Sequence, residues 1–166
     1  MIRRVAVIGG PGTGKTTLAR RIGDRLGLPV VHLDALFWRP GWVEDREGFR
    51  VRHREAMARE EWVMDGNYSS FDRLERLERA DLVVVLEAPR LLCLTRALRR
   101  SLLHYGRTRS DIGLPERLDL VFYRWIWGWN ERNPAFGDEV RGELGGRPVV
   151  VLRSRREIAA FLESLS

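Results

Sequence analysis

Lys15 is the one lysine in a chain of 166 residues whose other long cationic side chains are all arginine, 28 of them. It stands inside Gly9-Gly10-Pro11-Gly12-Thr13-Gly14-Lys15-Thr16. An ammonium is a compact point charge with three free donors, whereas a guanidinium is a wide planar fork that crowds a tight cradle. The spacing G-x-x-x-x-G-K-[ST] is that of a phosphate-binding loop. Its glycines let backbone N–H groups turn inward, and the helix that follows offers its positive end. Lys15 then reaches the terminal phosphates, and the Thr16 hydroxyl is placed to ligate Mg²⁺. The expected nucleotide-binding set is Gly9, Gly10, Pro11, Gly12, Thr13, Gly14, Lys15, Thr16 and Thr17, with ATP and Mg²⁺ as ligands.

Such a loop needs a buried strand before it and a helix after it. The run IRRVAVI over residues 2–8 has strand character. Leu18, Ile22 and Leu26 recur at helical spacing, and Gly27 with Pro29 ends the helix. Four more short apolar runs follow: PVVHL (29–33), WVM (62–64), LVVVL (82–86) and PVVVL (148–152). Each is followed by a helical pattern, which predicts an α/β fold with a five-stranded parallel sheet covered on both faces. Ligands gather at the carboxyl ends of such strands. Asp34, Asp65 and Glu87 end the second, third and fourth runs and are expected to meet the glycine loop there.

Between the runs, residues 37–42 (FWRPGW) read as an aromatic turn, and Asp45 as the cap of a helix over about 46–60. A short helix is expected over 71–79, where RLERLER (73–79) has the alternating charge of a solvated face. Pro89 starts a helix with Leu91, Leu94, Leu98 and Leu102 on one side and Arg96, Arg99 and Arg100 on another. Gly106 ends it, residues 107–111 form an exposed loop, and Pro115 begins a helix to about Arg132. On that helix Trp125 and Trp129 lie together with Phe122, a pattern that packing explains. Ser154 and Glu157 make a capping-box pattern for the last helix. Cys93, among leucines, reads as a buried structural thiol, and no Cys/His spacing supports a zinc site.

Composition bounds the rest. The chain is 44% hydrophobic, a content that fits one soluble domain with a real core. No apolar run approaches the roughly 20 residues of a membrane span. The first strand begins too early for a signal peptide, so a cytoplasmic location is expected. The net charge of +6 concentrates locally. From Arg90 to Ser110 there are six arginines and no acid, a cluster better suited to polyphosphate than to a long nucleic-acid track.

Over nearly its whole length the chain resembles the adenylate-kinase-like P-loop kinases. Within that group it is most similar to the small DNA topology modulation proteins. The resemblance is carried by GGPGTGKTTLAR, HLDALFWRPGW, WVMDGNY, the Arg-rich helix with GRTRSD, and PVVVLRSRREI. It implies a three-layer fold with strand order 2-3-1-4-5 and a helical lid inserted at about 103–145. It also implies transfer of the γ-phosphoryl of ATP to a small acceptor. Asp65 matches the family's metal-ordering acid, although Asp-Gly is also ordinary turn chemistry. Asp34 sits where such kinases hold an acceptor hydroxyl, or else caps Ala35-Leu36-Phe37, with Trp38 and Trp42 as possible walls. Arg107 and Arg109 in the lid loop, and then Arg100, are the expected phosphate clamps. Arg153 falls on the family's adenine side.

The pattern breaks at the acceptor. Adenylate kinases carry an arginine after strand two and another in DGFPR. Here the stretches are HLDALFWRP, where Arg39 is an approximate stand-in for the first, and DGNYSS, which lacks the second. The AMP site is not matched, and the acceptor is expected to be a nucleotide, nucleoside, sugar or other hydroxyl compound. Competing readings are an ATP-switched DNA-binding regulator and a slow ATPase with a vestigial acceptor site.

Overall fold

The protein is described from a computed structural model over residues 1–165. Strand β1 (Arg4–Gly9) leads through the glycine loop into helix α1 (Lys15–Leu26). The chain continues through β2 (Val30–His32), α2 (Leu33–Phe37), a hairpin of β3 (Trp38–Arg39) and β4 (Val43–Glu44), and α3 (Arg46–Met57). Next come β5 (Trp62–Asp65), α4 (Arg73–Arg79), β6 (Leu82–Leu86) and α5 (Arg90–His104). The last elements are α6 (Leu120–Arg132), α7 (Phe136–Glu143), β7 (Val149–Leu152) and α8 (Arg155–Ser164).

The large sheet has five parallel strands in the order β2-β5-β1-β6-β7, with β1 paired on both sides. With the hairpin set aside, this is the expected order 2-3-1-4-5. Central strands of a parallel sheet are covered on both faces, which is why they read as continuous apolar runs. Successive residues of β1 serve opposite cores, as the two-residue strand period requires. Ala6 and Ile8 join Met64, Val83 and Val85 under α2, α3 and α7. Val5 and Val7 join Val63 and Val84 under α1 and α8, through Leu18, Ile22 and Leu162. The result is three layers.

Several expectations are corrected. The aromatic turn at 37–42 contains the β3–β4 hairpin, invisible to periodicity because each strand has only two residues. Pro115 starts no helix. It bridges to Thr108, and α6 begins at Leu120, capped by Asp119 accepting from Phe122 N. Residues 136–144 of the expected insert pack into the sheet, with Phe136, Val140 and Leu144 inside the main core. RLERLER is not solvated throughout, because Arg76 is 0% exposed. By contrast, Asp45 caps α3 through Gly48 N, and Ser154 caps α8 through Glu157 N. No helix among the described residues is long and apolar enough to cross a membrane.

Candidate active site

The glycine loop owes its path to close approach. Gly12 has φ 75°, and a Cβ there would lie 2.6 Å from the Cys93 carbonyl oxygen. A Cβ on Gly9 would meet Leu86 O at 2.2 Å. The loop is thus pressed onto the junction of β6 and α5, where only glycine fits. Gly10 O gathers the loop, accepting from Thr13 Oγ1 at 2.8 Å and from Lys15 Nζ at 2.7 Å. Arg96 Nη1 donates to Thr13 O at 3.1 Å. Asn67 clamps the loop's start, with Gly9 N donating to its Oδ1 at 2.9 Å and its Nδ2 donating to Gly9 O at 2.7 Å.

Lys15 opens α1 and is half-buried near groups of opposite charge. Burial lowers its pKa, and Asp65 and Asp34 pull it back up. Among the described residues its ammonium has Gly10 O as its one hydrogen-bond partner. Two donors remain for phosphate oxygens, which is what the motif requires. No hydrogen bond among the described residues engages the Thr16 hydroxyl or the second oxygen of Asp65. Among the described residues, no group of three or more His, Cys, Asp or Glu side chains stands ready for a metal. These donors fit Mg²⁺, which is held by one or two protein oxygens with phosphate and water supplying the rest.

Asp65 ends β5, 4% exposed, and His32 Nδ1 donates to its Oδ2 at 2.9 Å. The proton sits on Nδ1 because an ionised carboxylate only accepts. Asp34 lies in the first turn of α2 and is not its cap, which is His32. The Tyr68 hydroxyl donates to Asp34 Oδ1 at 2.5 Å. Burial raises the Asp34 pKa; the Tyr68 hydrogen bond and the charges of Lys15 and Arg109 lower it less. Burial likewise raises the Tyr68 pKa, with Asp34 adding to the effect.

The lid arginines separate. Arg109 turns inward and pairs with Asp111 through Nε at 3.2 Å and Nη2 at 2.6 Å. Arg100 Nε lies 2.7 Å from the buried Glu116, so it serves as a lid strut. Arg107 is exposed, and no side-chain partner holds it among the described residues. The lid loop is fastened by Trp42 Nε1, which donates to Pro115 O at 3.1 Å, and by Arg117 stacked 4.6 Å over the Trp42 ring.

Glu87 does not join the acids at the strand ends. Its carboxylate accepts from Gly137 N at 2.8 Å and from Arg153 Nε at 2.7 Å. The pair borders a cavity of about 300 Å³ beside the loop, lined by Gly10, Thr13, Glu87, Trp129, Asn133 and Arg153 among others. Trp129 connects it to the body, with its ring 5.4 Å from Trp125 and 5.7 Å from Phe136. Cys93 is buried in the α5–α6 packing, as expected.

Sequence reasoning did not pick out four residues here: His32, Asn67, Tyr68 and Arg76. Arg76 Nη2 donates to Gly66 O at 2.9 Å and Asn67 O at 2.7 Å, and its Nη1 donates to His53 Nε2 at 3.1 Å. It fixes the loop that carries Asn67 and Tyr68. The run DGNY marked that loop without saying which of its atoms would be used.

A family model described as "ATPase family associated with various cellular activities (AAA)" matches residues 5–62, from β1 to the first residue of β5. No curated protein matches the chain in sequence. Among solved structures, shikimate kinase from Bacteroides thetaiotaomicron is 19% identical with TM-score 0.56, covering 99% of this chain and 96% of that one. Shikimate kinase from Acinetobacter baumannii, in complex with shikimate, is 18% identical with TM-score 0.61, covering 98% and 90%. The chain has the three-layer α/β fold of the P-loop kinases.

Proposed function

We propose that the protein is an ATP-dependent phosphotransferase that moves the γ-phosphoryl group to a hydroxyl of a small acceptor. The observation that carries this reading is the meeting of Lys15, Asp34 and Asp65 at the carboxyl ends of β1, β2 and β5, with Tyr68 bonded to Asp34 at 2.5 Å. Mg·ATP, when bound, supplies the phosphoryl group and neutralises much of its charge. Gly9 to Thr17 would cradle the phosphates with Lys15 donating to them, and Thr16 and Asp65 would hold the metal. Asp34 would receive the proton of the acceptor hydroxyl as that oxygen bonds to the γ-phosphorus and the bond from that phosphorus to the bridging β-phosphate oxygen breaks, releasing ADP. A raised pKa makes Asp34 a better base than an ordinary carboxylate. Tyr68 fixes the carboxylate's orientation, and Arg109, held by Asp111, adds positive charge near Asp34. Trp129, Arg153 and the cavity beside Gly10 would take the base of the nucleotide.

The test is ADP release from Mg·ATP with nucleosides, nucleoside monophosphates, sugars and shikimate, using Lys15→Ala as blank. Stimulation by one class supports the reading. A flat, Lys15-dependent background would replace it with a slow ATPase. DNA is a second ligand class, drawn from the resemblance to DNA topology modulation proteins. Its support in the chain is Arg99, Arg107 and Arg124, exposed and without an acid partner among the described residues. DNA affinity that falls by decades between low and moderate salt would favour it.

A further inference from the structure

Among the described residues, the arginines set nearest Asp34 and α2 are each paired with an acid of the same chain, while Arg107 and Arg50 stand exposed without one. Lys15 and Arg109 are the cations whose charges reach Asp34. Lys15 belongs to the phosphate loop, through Gly10 O. Arg109 is held two-pronged by Asp111, and Glu116 stands 3.8 Å behind it. The next candidates, Arg39 and Arg52, flank α2 and converge on Asp45 Oδ2 at 3.0 and 2.8 Å. Arg52 also donates through Nε and Nη2 to Leu36 O at 3.1 and 2.7 Å. Asp45 is at once the cap of α3, and these arginines lower its pKa to about 2. They form the joint between the hairpin and α3. Carboxylates, on the other hand, are plentiful around the site: Asp34, Asp65 and, from the lid, Asp111.

We infer that the acceptor is an uncharged polyhydroxy compound, and that an acceptor bearing a phosphate or carboxylate is rejected. The inference rests on the phosphotransfer reading and narrows its substrate class. An anionic group bound against Asp34 would find Arg109 paired with Asp111, and Arg39 and Arg52 paired with Asp45, and taking any of these arginines would leave a carboxylate unpaired. It would also enter beside Asp34. Like charges brought together repel, so an anion that does not itself bring a cation is selected against. A neutral hydroxyl needs only Asp34 as acceptor of its proton, beside the Tyr68 hydroxyl that holds Oδ1.

The experiment compares matched pairs with the full chain and Mg·ATP: thymidine and its 5′-monophosphate, myo-inositol and its 1-phosphate, methyl quinate and quinate. The expected result is turnover of neutral members, with kcat/KM at least about a hundredfold above the anionic partner. Preference for the anionic members would overturn the inference while leaving phosphotransfer standing. Turnover of neither set above the Lys15→Ala blank would take both readings down. In Asp111→Asn, which releases Arg109, the anionic-to-neutral ratio of kcat/KM rises about tenfold, the scale of one charge-assisted hydrogen bond. An unchanged ratio in a folded Asp111→Asn variant would show that Arg109 does not screen the acceptor, and would overturn the inference.

Discussion

At the scale of single residues, the site depends on groups whose environments shift them from their usual behaviour. Lys15 supplies donors that no neighbouring arginine can supply in the same space. Lys15→Ala is expected to weaken Mg·ATP binding by at least about a hundredfold, the value of two charged hydrogen bonds lost together; unchanged affinity by calorimetry would remove the loop from nucleotide binding. Asp34→Asn is expected to cut acceptor-dependent kcat by about a hundredfold or more while ATP affinity holds, because it removes the base alone. The sign of the pH dependence follows from burial, which raises the Asp34 pKa. Activity needs the ionised form, so kcat/KM should fall on acidification sooner than an ordinary carboxylate dictates. An acidic limb at the usual carboxylate position would assign it to another group. Lys15 and Thr16 were legible because their motif is local. Tyr68 was not, because its partner Asp34 lies 34 residues away and nothing in a tyrosine announces which carboxylate it will find.

At the scale of elements, α3 and α4 do work that their charge patterns conceal. RLERLER alternates signs as a solvated helix does, yet Arg76 is the residue that turns into the body and carries the loop after β5. Burial pulls its pKa down to about 9, so it remains charged near neutrality. Arg76→Met should lower stability by about 2–3 kcal/mol, since it leaves buried carbonyls at Gly66 and Asn67 without a donor. It should also lower kcat, because Tyr68 loses its anchor; denaturation and turnover measured on the same preparation check both. His53, stacked on Phe49 and facing Arg76, is held neutral. Burial and then Arg76 lower its pKa to about 4 from 6.5. Between those values the unfolded chain binds the proton and the folded chain does not. Stability should therefore decline as pH falls from about 6.5 toward 4. His53→Gln should flatten that decline, and an unaltered slope of melting temperature against pH would refute the assignment.

At the scale of the whole molecule, a parallel sheet covered on both faces was readable from five apolar runs with helices between them, whereas the strand order came from the resemblance to the P-loop kinases. The lid was readable only in outline. Its residues 105–119 are ordered by the Tyr105–Glu116 and Thr108–Pro115 bridges and by the Arg100–Glu116 and Arg109–Asp111 pairs. Such contacts have no periodicity to detect. The lid is fastened to the hairpin by Trp42, whose φ of 61° is uncommon for a non-glycine residue. Closure excludes water from a phosphoryl group awaiting its acceptor. Trp42→Ala should thus raise acceptor-independent ATP hydrolysis a few-fold relative to transfer. Identical partitioning in the two proteins, measured as ADP formed against phosphorylated product, would show that the fastening is not part of closure.

The arginine-for-lysine bias has a practical outcome for labelling. The chain presents two primary amines, the N-terminus and Lys15, and the second lies inside the glycine loop. Because burial lowers the Lys15 pKa, more of it is in the reactive free-base form at a given pH. An amine-selective acylating reagent therefore modifies at most one side chain. The mass of that adduct, scored against the N-terminal adduct as internal standard, reads loop occupancy directly, without any substrate being known in advance.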